Sequence, residues 1–180
     1  MEEIQLYNEK GEVKGKESID KIHNEGYLYG STQSWIIIKE NLIILEKRSL
    51  STKLFSGLYG PSSAGHITYG LTPMQNTIRE TKEELNIDVS NAKYIKDIYR
   101  SNLIYKKYIV NELIFLFFYK TNFEMKDIYS SKEIQNLYFL TFEDLKELYK
   151  NNKESFIPYG RDYYDLVFEK LEILLKNKEI

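Results

Sequence analysis

The chain contains no cysteine and only two histidines, His23 and His66, in its 180 residues. Disulfides, thiolate metal sites and cysteine nucleophiles are excluded, and a histidine-based zinc site would need carboxylates to complete it. No long apolar run is present. The longest, Leu113 to Tyr119, has seven residues, where a membrane span needs about 20. The N-terminus, MEEIQLYNEK, lacks the basic segment and apolar core of a secretory leader. These absences lead us to expect a soluble, cytoplasmic protein. Excess charge is also missing: 25 basic against 27 acidic residues leave a net −2, with no basic footprint for nucleic acid. The expected partner is a small molecule, without a stable nucleic-acid complex or a membrane; a homodimer is left open. What is present, 42% hydrophobic and 29% charged residues, is the composition of a globular chain long enough to bury one core. The 16 tyrosines accompany many Lys, Ile and Asn residues, so they read as coding bias, and single tyrosines carry little weight.

Along the chain, Ile4–Tyr7 and Glu12–Lys16 flank the turn signal Asn8-Glu9-Lys10-Gly11, which predicts an N-terminal hairpin within about residues 1–30. Residues 17–30 read as a polar connection. Thr32–Lys39 and Leu42–Lys47 form a second hairpin, and Arg48–Ser63 is a long loop of the kind that is usually functional or disordered. Residues 73–85 are the clearest helix. Thr72 suits the N-cap, Pro73 the first helical position, and Gln75 completes a capping box. Asn86 suits a left-handed residue just past the end. Lys93–Tyr105 and Tyr108–Lys120 read as strands, the second buried on both faces. Leu137–Leu140 is a short strand, Thr141 caps a helix of about ten residues, and an amphipathic helix covers about 162–177. Together these elements predict a single mixed α/β domain over residues 1–180.

The 73–85 helix places Glu80, Glu83 and Glu84 within about a third of a turn of one another, roughly opposite Met74, Ile78 and Leu85. Three carboxylates on one exposed face repel unless solvated, paired or bound to a hard cation such as Mg²⁺ or Mn²⁺. From the helix alone, a solvated surface with an Arg79–Glu83 pair is the more ordinary outcome.

The stretch GHITYGLTPMQNTIRETKEELNI, Gly65 to Ile87, resembles the Nudix (MutT-type) signature, G-x5-E-x7-R-E-U-x-E-E-x-G-U with U a bulky apolar residue. Gly65, Arg79, Glu80, Glu83, Glu84 and Ile87 match in register. Leu71 replaces the first glutamate, Thr81 a bulky apolar residue and Asn86 the second glycine. The resemblance implies an α/β/α sandwich with a mixed β-sheet, and the hydrolysis of a phosphoanhydride in a nucleoside diphosphate linked to another moiety, or in a similar small diphosphate. It implies Mg²⁺ or Mn²⁺ held by Gly65, Glu80, Glu83 and Glu84, with Glu83 and Glu84 catalytic. In the family the missing glutamate helps tie the loop to the helix through the arginine, so Arg79 needs another partner, Glu83 being the nearest.

Outside the box, Trp35, Arg48, Lys53, Gly57, Ser63, Gly65, His66 and the run Val110-Asn111-Glu112 resemble the Nudix branch that includes isopentenyl diphosphate isomerase. The isomerase activity does not carry over. Its cysteine falls on Ala64 and one of its metal-ligand histidines on Gly30, although His23 and His66 are in register. Glu112 is the candidate general base beyond the box, against the alternative of a solvated glutamate at a strand edge. Arg48 and Lys53 are candidate phosphate clamps and His66 a candidate substrate contact. His23 reads as solvated, and the C-terminal helix adds nothing specific. The alternative function is a Nudix-fold ligand-binding or regulatory module with weakened catalysis, suggested by Leu71 and Asn86.

Overall fold

Central to the fold is a strand whose first half is polar and yet wholly buried. In a computed structural model describing residues 2–129, 131 and 134–177, the order is β1 (Glu3–Tyr7), β2 (Val13–Ser18), α1 (Ile19–Glu25), β3 (Tyr29–Ile37), β4 (Ile43–Arg48), β5 (Tyr59–Gly60), β6 (Ser63–His66), α2 (Pro73–Leu85), β7 (Lys93–Tyr105), β8 (Tyr108–Lys120), β9 (Ile134–Leu140), α3 (Phe142–Asn151) and α4 (Arg161–Lys176). Every residue of β3 is buried. Strand β8 runs parallel to it from Tyr29↔Glu112 to Ile37↔Lys120. β3 also pairs with β1 at Tyr29, with β6 over Ser31–Ser34 and with β4 at Ile37, all antiparallel. β7 pairs along β8, while β5 and β9 extend the sheet from β4. The result is one mixed sheet of nine strands among the described residues.

Alternating side chains of the sheet feed two cores. Trp35, Ile37, Leu45, Ile114, Leu116 and Phe118 pack against Tyr163, Val167, Leu171 and Leu174 of α4 on one face. Ile36, Ile38, Ile44, Phe117 and Tyr119 pack with Leu85, Ile87, Val89 and the partly buried Met74 and Ile78 on the other. Helices thus cover both faces, the α/β/α sandwich expected. No described helix is long and apolar enough to cross a membrane.

The helix expected over 73–85 has those bounds. Thr72 accepts from the Gln75 amide while the Gln75 side chain accepts from the Thr72 amide, and Asn86 sits in the left-handed region at φ 59°. Two expectations need correction. Residues 17–30 are not simply a connection, because they contain α1, which ends at Gly26 with φ 73°. Seven residues are too few for a helical period to stand out. The helix α2 also does not hold all its carboxylates opposite the sheet: Glu83 is exposed, but Glu80 is half-buried and Glu84 buried. Its buried residues are Asn76, Thr77, Thr81, Glu84 and Leu85. Thr77 meets Ser34 at 2.6 Å and Asn76 donates to Thr32 Oγ1 at 2.9 Å. The buried stripe is therefore largely polar, ending in Leu85, with Met74 and Ile78 partly buried beside it. That is where the buried Ser, Thr and Gln residues of β3 find some of their partners.

Candidate active site

The polar docking of α2 on β3 presses Glu80 and Glu84 onto β6. A Cβ added at Gly65 would lie 2.1 Å from the Glu80 carboxylate, so a larger residue there would displace the Glu80 side chain. Glu84 is buried and accepts from the Ala64 amide at 3.0 Å. Burial pushes the Glu80 carboxyl up to about 8, with Arg79 opposing and Glu84, Glu83 and Glu2 adding to it. Glu84 is raised as well, first by burial and then by Glu46, a buried carboxylate at the end of β4.

Arg79 gathers several acceptors. Its guanidinium lies 2.5 Å from Glu80, 2.9 Å from Glu83 and 3.7 Å from Glu2, and it donates to Asn76 Oδ1 at 2.9 Å. Glu2 also accepts from the Thr68 hydroxyl in the loop before α2. A carboxylate from ahead of β1 therefore reaches the arginine that Leu71 cannot serve. Leu71 instead packs beside Tyr7, Leu28 and Ile67.

These groups open onto a cavity of about 390 Å³ that is also lined by Gly65, His66, Arg48, Lys53, Glu80, Glu83 and Glu112. Of the residues expected in the site, only Glu84 does not line it; it sits behind β6 on the Ala64 amide. Arg48 donates through Nε to the Leu54 carbonyl at 3.2 Å and lies 3.4 Å from Glu46. Lys53 pairs with Asp20 at 2.8 Å on the exposed rim. His66 is held neutral, its pKa pushed down to about 3 by burial, His23 and Arg48. His23 is buried rather than solvated, because α1 turns it inward. Its ring lies 6.0 Å from that of His66 and 5.5 Å from that of Tyr29. Gly30 leaves no room for a side chain, since a Cβ there would lie 2.4 Å from the Tyr7 ring.

Glu112 is neither at a strand edge nor solvated. It lies inside β8, between Tyr29 of β3 and Ser101 of β7, and is buried. Burial raises its carboxyl to about 7 against the opposing pull of Ser31, Tyr159 and Arg48. Tyr159 donates to Glu112 Oε2 at 3.3 Å and accepts from Gln33 Nε2 at 2.8 Å. Tyr163 of α4 donates to Gln33 Oε1, so the C-terminal helix does contribute to the site's support. Sequence reasoning missed Glu2, His23, Gln33, Glu46, Tyr159 and Tyr163. For Gln33 a signal existed, a polar residue inside a strand that also carries Trp35-Ile36-Ile37. The tyrosines were hidden by their abundance.

The donor set suits a hard divalent cation: carboxylates and a backbone carbonyl, with Glu80 and Glu84 raised by burial beside other carboxylates. Among the described residues no three acidic or histidine side chains converge on one point. Glu80 and Glu83 turn instead to Arg79, so a cation would have to draw them away from it.

A model of the NUDIX domain family matches residues 30–159. The chain belongs to this family. An uncharacterized Nudix hydrolase of Clostridium acetobutylicum is 24% identical over 198 aligned residues, covering 93% of this chain and 96% of that protein. Among solved structures, one from Deinococcus radiodurans is similar at a TM-score of 0.69 and 18% identity, covering 94% of this chain and 99% of that one. A C. elegans Ap4A hydrolase is similar at a TM-score of 0.59 and 21% identity, covering 81% and 96%. These likenesses place the nine-stranded sheet and its flanking helices among Nudix folds. Nudix hydrolases act on phosphoanhydride bonds.

Proposed function

We propose that the protein is a metal-dependent pyrophosphohydrolase. It cleaves a phosphoanhydride of a nucleoside diphosphate linked to a further moiety, or of a similar small diphosphate, by attack of water. The observation that carries this reading is the meeting of Glu80 and Glu83 with Glu112, Arg48 and Lys53 around one cavity. Glu112 takes the proton from the attacking water, because a buried carboxyl raised to about 7 is matched to general-base work near neutral pH. Arg48 and Lys53 orient the phosphates, and His66, held neutral, contacts the substrate. Gly65 through its carbonyl, with Glu80, Glu83 and Glu84, would hold Mg²⁺ or Mn²⁺, with Glu83 and Glu84 contributing to catalysis. When bound, the cation supplies charge neutralisation on the phosphate oxygens. The affinity to the isomerase-type branch and a cytoplasmic location belong to the same reading; the isomerase reaction does not.

The second reading, a ligand-binding module with weakened catalysis, is favoured by the attachment of both Glu80 and Glu83 to Arg79. A panel of dinucleoside polyphosphates and nucleoside-diphosphate conjugates, assayed for product release with Mg²⁺ or Mn²⁺, separates the two. Turnover abolished by a chelator supports the hydrolase. Tight binding of a panel member without turnover supports the module.

A further inference from the structure

Beneath the cavity a buried chain of hydrogen bonds runs from one side of the sheet core to Glu112, and every donor in it points the same way. The Trp35 indole N–H donates to Tyr163 Oη at 3.2 Å. Tyr163 donates to Gln33 Oε1, Gln33 Nε2 donates to Tyr159 Oη at 2.8 Å, and Tyr159 donates to Glu112 Oε2 at 3.3 Å. An indole can only donate. With the Gln33 amide in this orientation each proton has an acceptor, whereas the flipped amide would leave the Tyr163 proton without one in the chain. All five residues are at most 9% exposed.

The fold explains the alignment. Ser31, Gln33 and Trp35 alternate onto one face of β3, and Tyr159 and Tyr163 lie four positions apart, with ring centroids 4.7 Å apart. Tyr159 is held a second time, accepting a hydrogen bond from Tyr99 at its own carbonyl at 3.1 Å. We propose that Tyr159 is the positioning residue for Glu112, oriented and polarised by the one-way chain from Trp35 through Tyr163 and Gln33. The chain ends on an acceptor, so it matches a carboxylate and favours the ionised form, and donors in series strengthen one another. It fixes one carboxylate oxygen, leaving the other untied by Tyr159. The inference rests on the reading of Glu112 as the base for its catalytic meaning, but not for its structure.

The test separates the two. The other groups that bear on Glu112 are Tyr29 and Ser31 of β3, Arg48 of β4 and Tyr163 of α4, with His23 and His66 in the same cavity. None of these is altered in Tyr159→Phe. ¹³C-carboxylate NMR titration, with the Glu112 signal assigned by its loss in Glu112→Gln, reads the midpoint directly. Tyr159→Phe should raise that midpoint by about half a unit or more, because a donor to the charged form is lost. Tyr163→Phe, which cuts the chain two links upstream, should raise it less and in the same direction. It also serves as the test if Tyr159→Phe proves poorly folded by thermal melting. On a substrate found by the panel, the acid limb of kcat should move up with the midpoint in Tyr159→Phe and recover at high pH. A folded Tyr159→Phe with an unmoved midpoint overturns the inference. A moved midpoint with an unmoved kcat profile upholds the chain and instead removes Glu112 from the role of base.

Discussion

The two walls of the cleft handle buried carboxylates in opposite ways. On the α2–β6 wall, the half-buried Glu80 and the exposed Glu83 crowd about one guanidinium, with a third carboxylate from Glu2 joining them. On the β3–β8 wall, Glu112 meets the uncharged donor Tyr159, backed by Gln33 and Tyr163. The first wall manages charge by pairing between long side chains, which would have to exchange Arg79 for a cation on the proposed reading. The second manages it through fixed dipoles and is rigid. Metal binding needs the former, and a base held at one position needs the latter.

That contrast is broken most severely by Glu112→Gln, which should lower kcat by roughly 10²–10⁴ with little change in KM. Steady-state kinetics on an active substrate checks this, and an unchanged kcat would move the base to the box wall, to Glu83 first. The same substitution should change stability in the other direction. The folded carboxyl titrates at about 7 against an ordinary 4.5. Below about pH 4.5 both folded and unfolded chains are protonated and nothing is lost. As pH rises from about 4.5 to 7 only the unfolded chain ionises, so stability falls, by at most about 3 kcal/mol, and then levels off. Urea unfolding across this range should show a flatter pH dependence for Glu112→Gln than for the wild type, and parallel curves would reject the buried-carboxyl account.

A smaller effect is expected behind the box wall. Glu84 does not line the cavity but holds the Ala64 amide, so Glu84→Gln should weaken activity and divalent-metal affinity about 10–100-fold. Titration of activity with Mg²⁺ measures both. The smallest change should come from Leu71→Glu, which restores the signature residue. Arg79 already has Glu80, Glu83 and Glu2, so kcat should move less than about threefold. The charge also enters a cluster with Tyr7, Leu28 and Ile67, so thermal stability should drop by about 1–2 kcal/mol. A large gain in activity would mean that Glu2 does not serve Arg79.

The two walls also differed in how far the sequence revealed them. Helix α2 was legible to its bounds and caps, because Thr72, Pro73, Gln75 and Asn86 act locally and the box residues lie within one helix and its preceding loop. Strands β7 and β8 were legible for the same reason. The β3–β8 wall was legible only at Glu112, and its surroundings were not. Gln33 is more than 120 positions from both Tyr159 and Tyr163 and meets them only through the sheet pairing of β3 and the return of the chain into α4. Even within α2 the inward face was read only in part: Met74, Ile78 and Leu85 do pack into the core, but Asn76, Thr77 and Thr81 are buried as well. Hydrophobic periodicity cannot see a stripe held by hydrogen bonds to Ser34 and Thr32.

The central claim is that both walls serve one reaction, the attack of water on a phosphoanhydride. Its most direct measurement is turnover in H₂¹⁸O with Mg²⁺ on the best substrate of the panel, followed by mass spectrometry of the products. The account predicts ¹⁸O in one product for the wild type, with incorporation strongly slowed by Glu112→Gln and by Glu84→Gln alike. Incorporation at the wild-type rate in both variants, or products free of ¹⁸O, would contradict it.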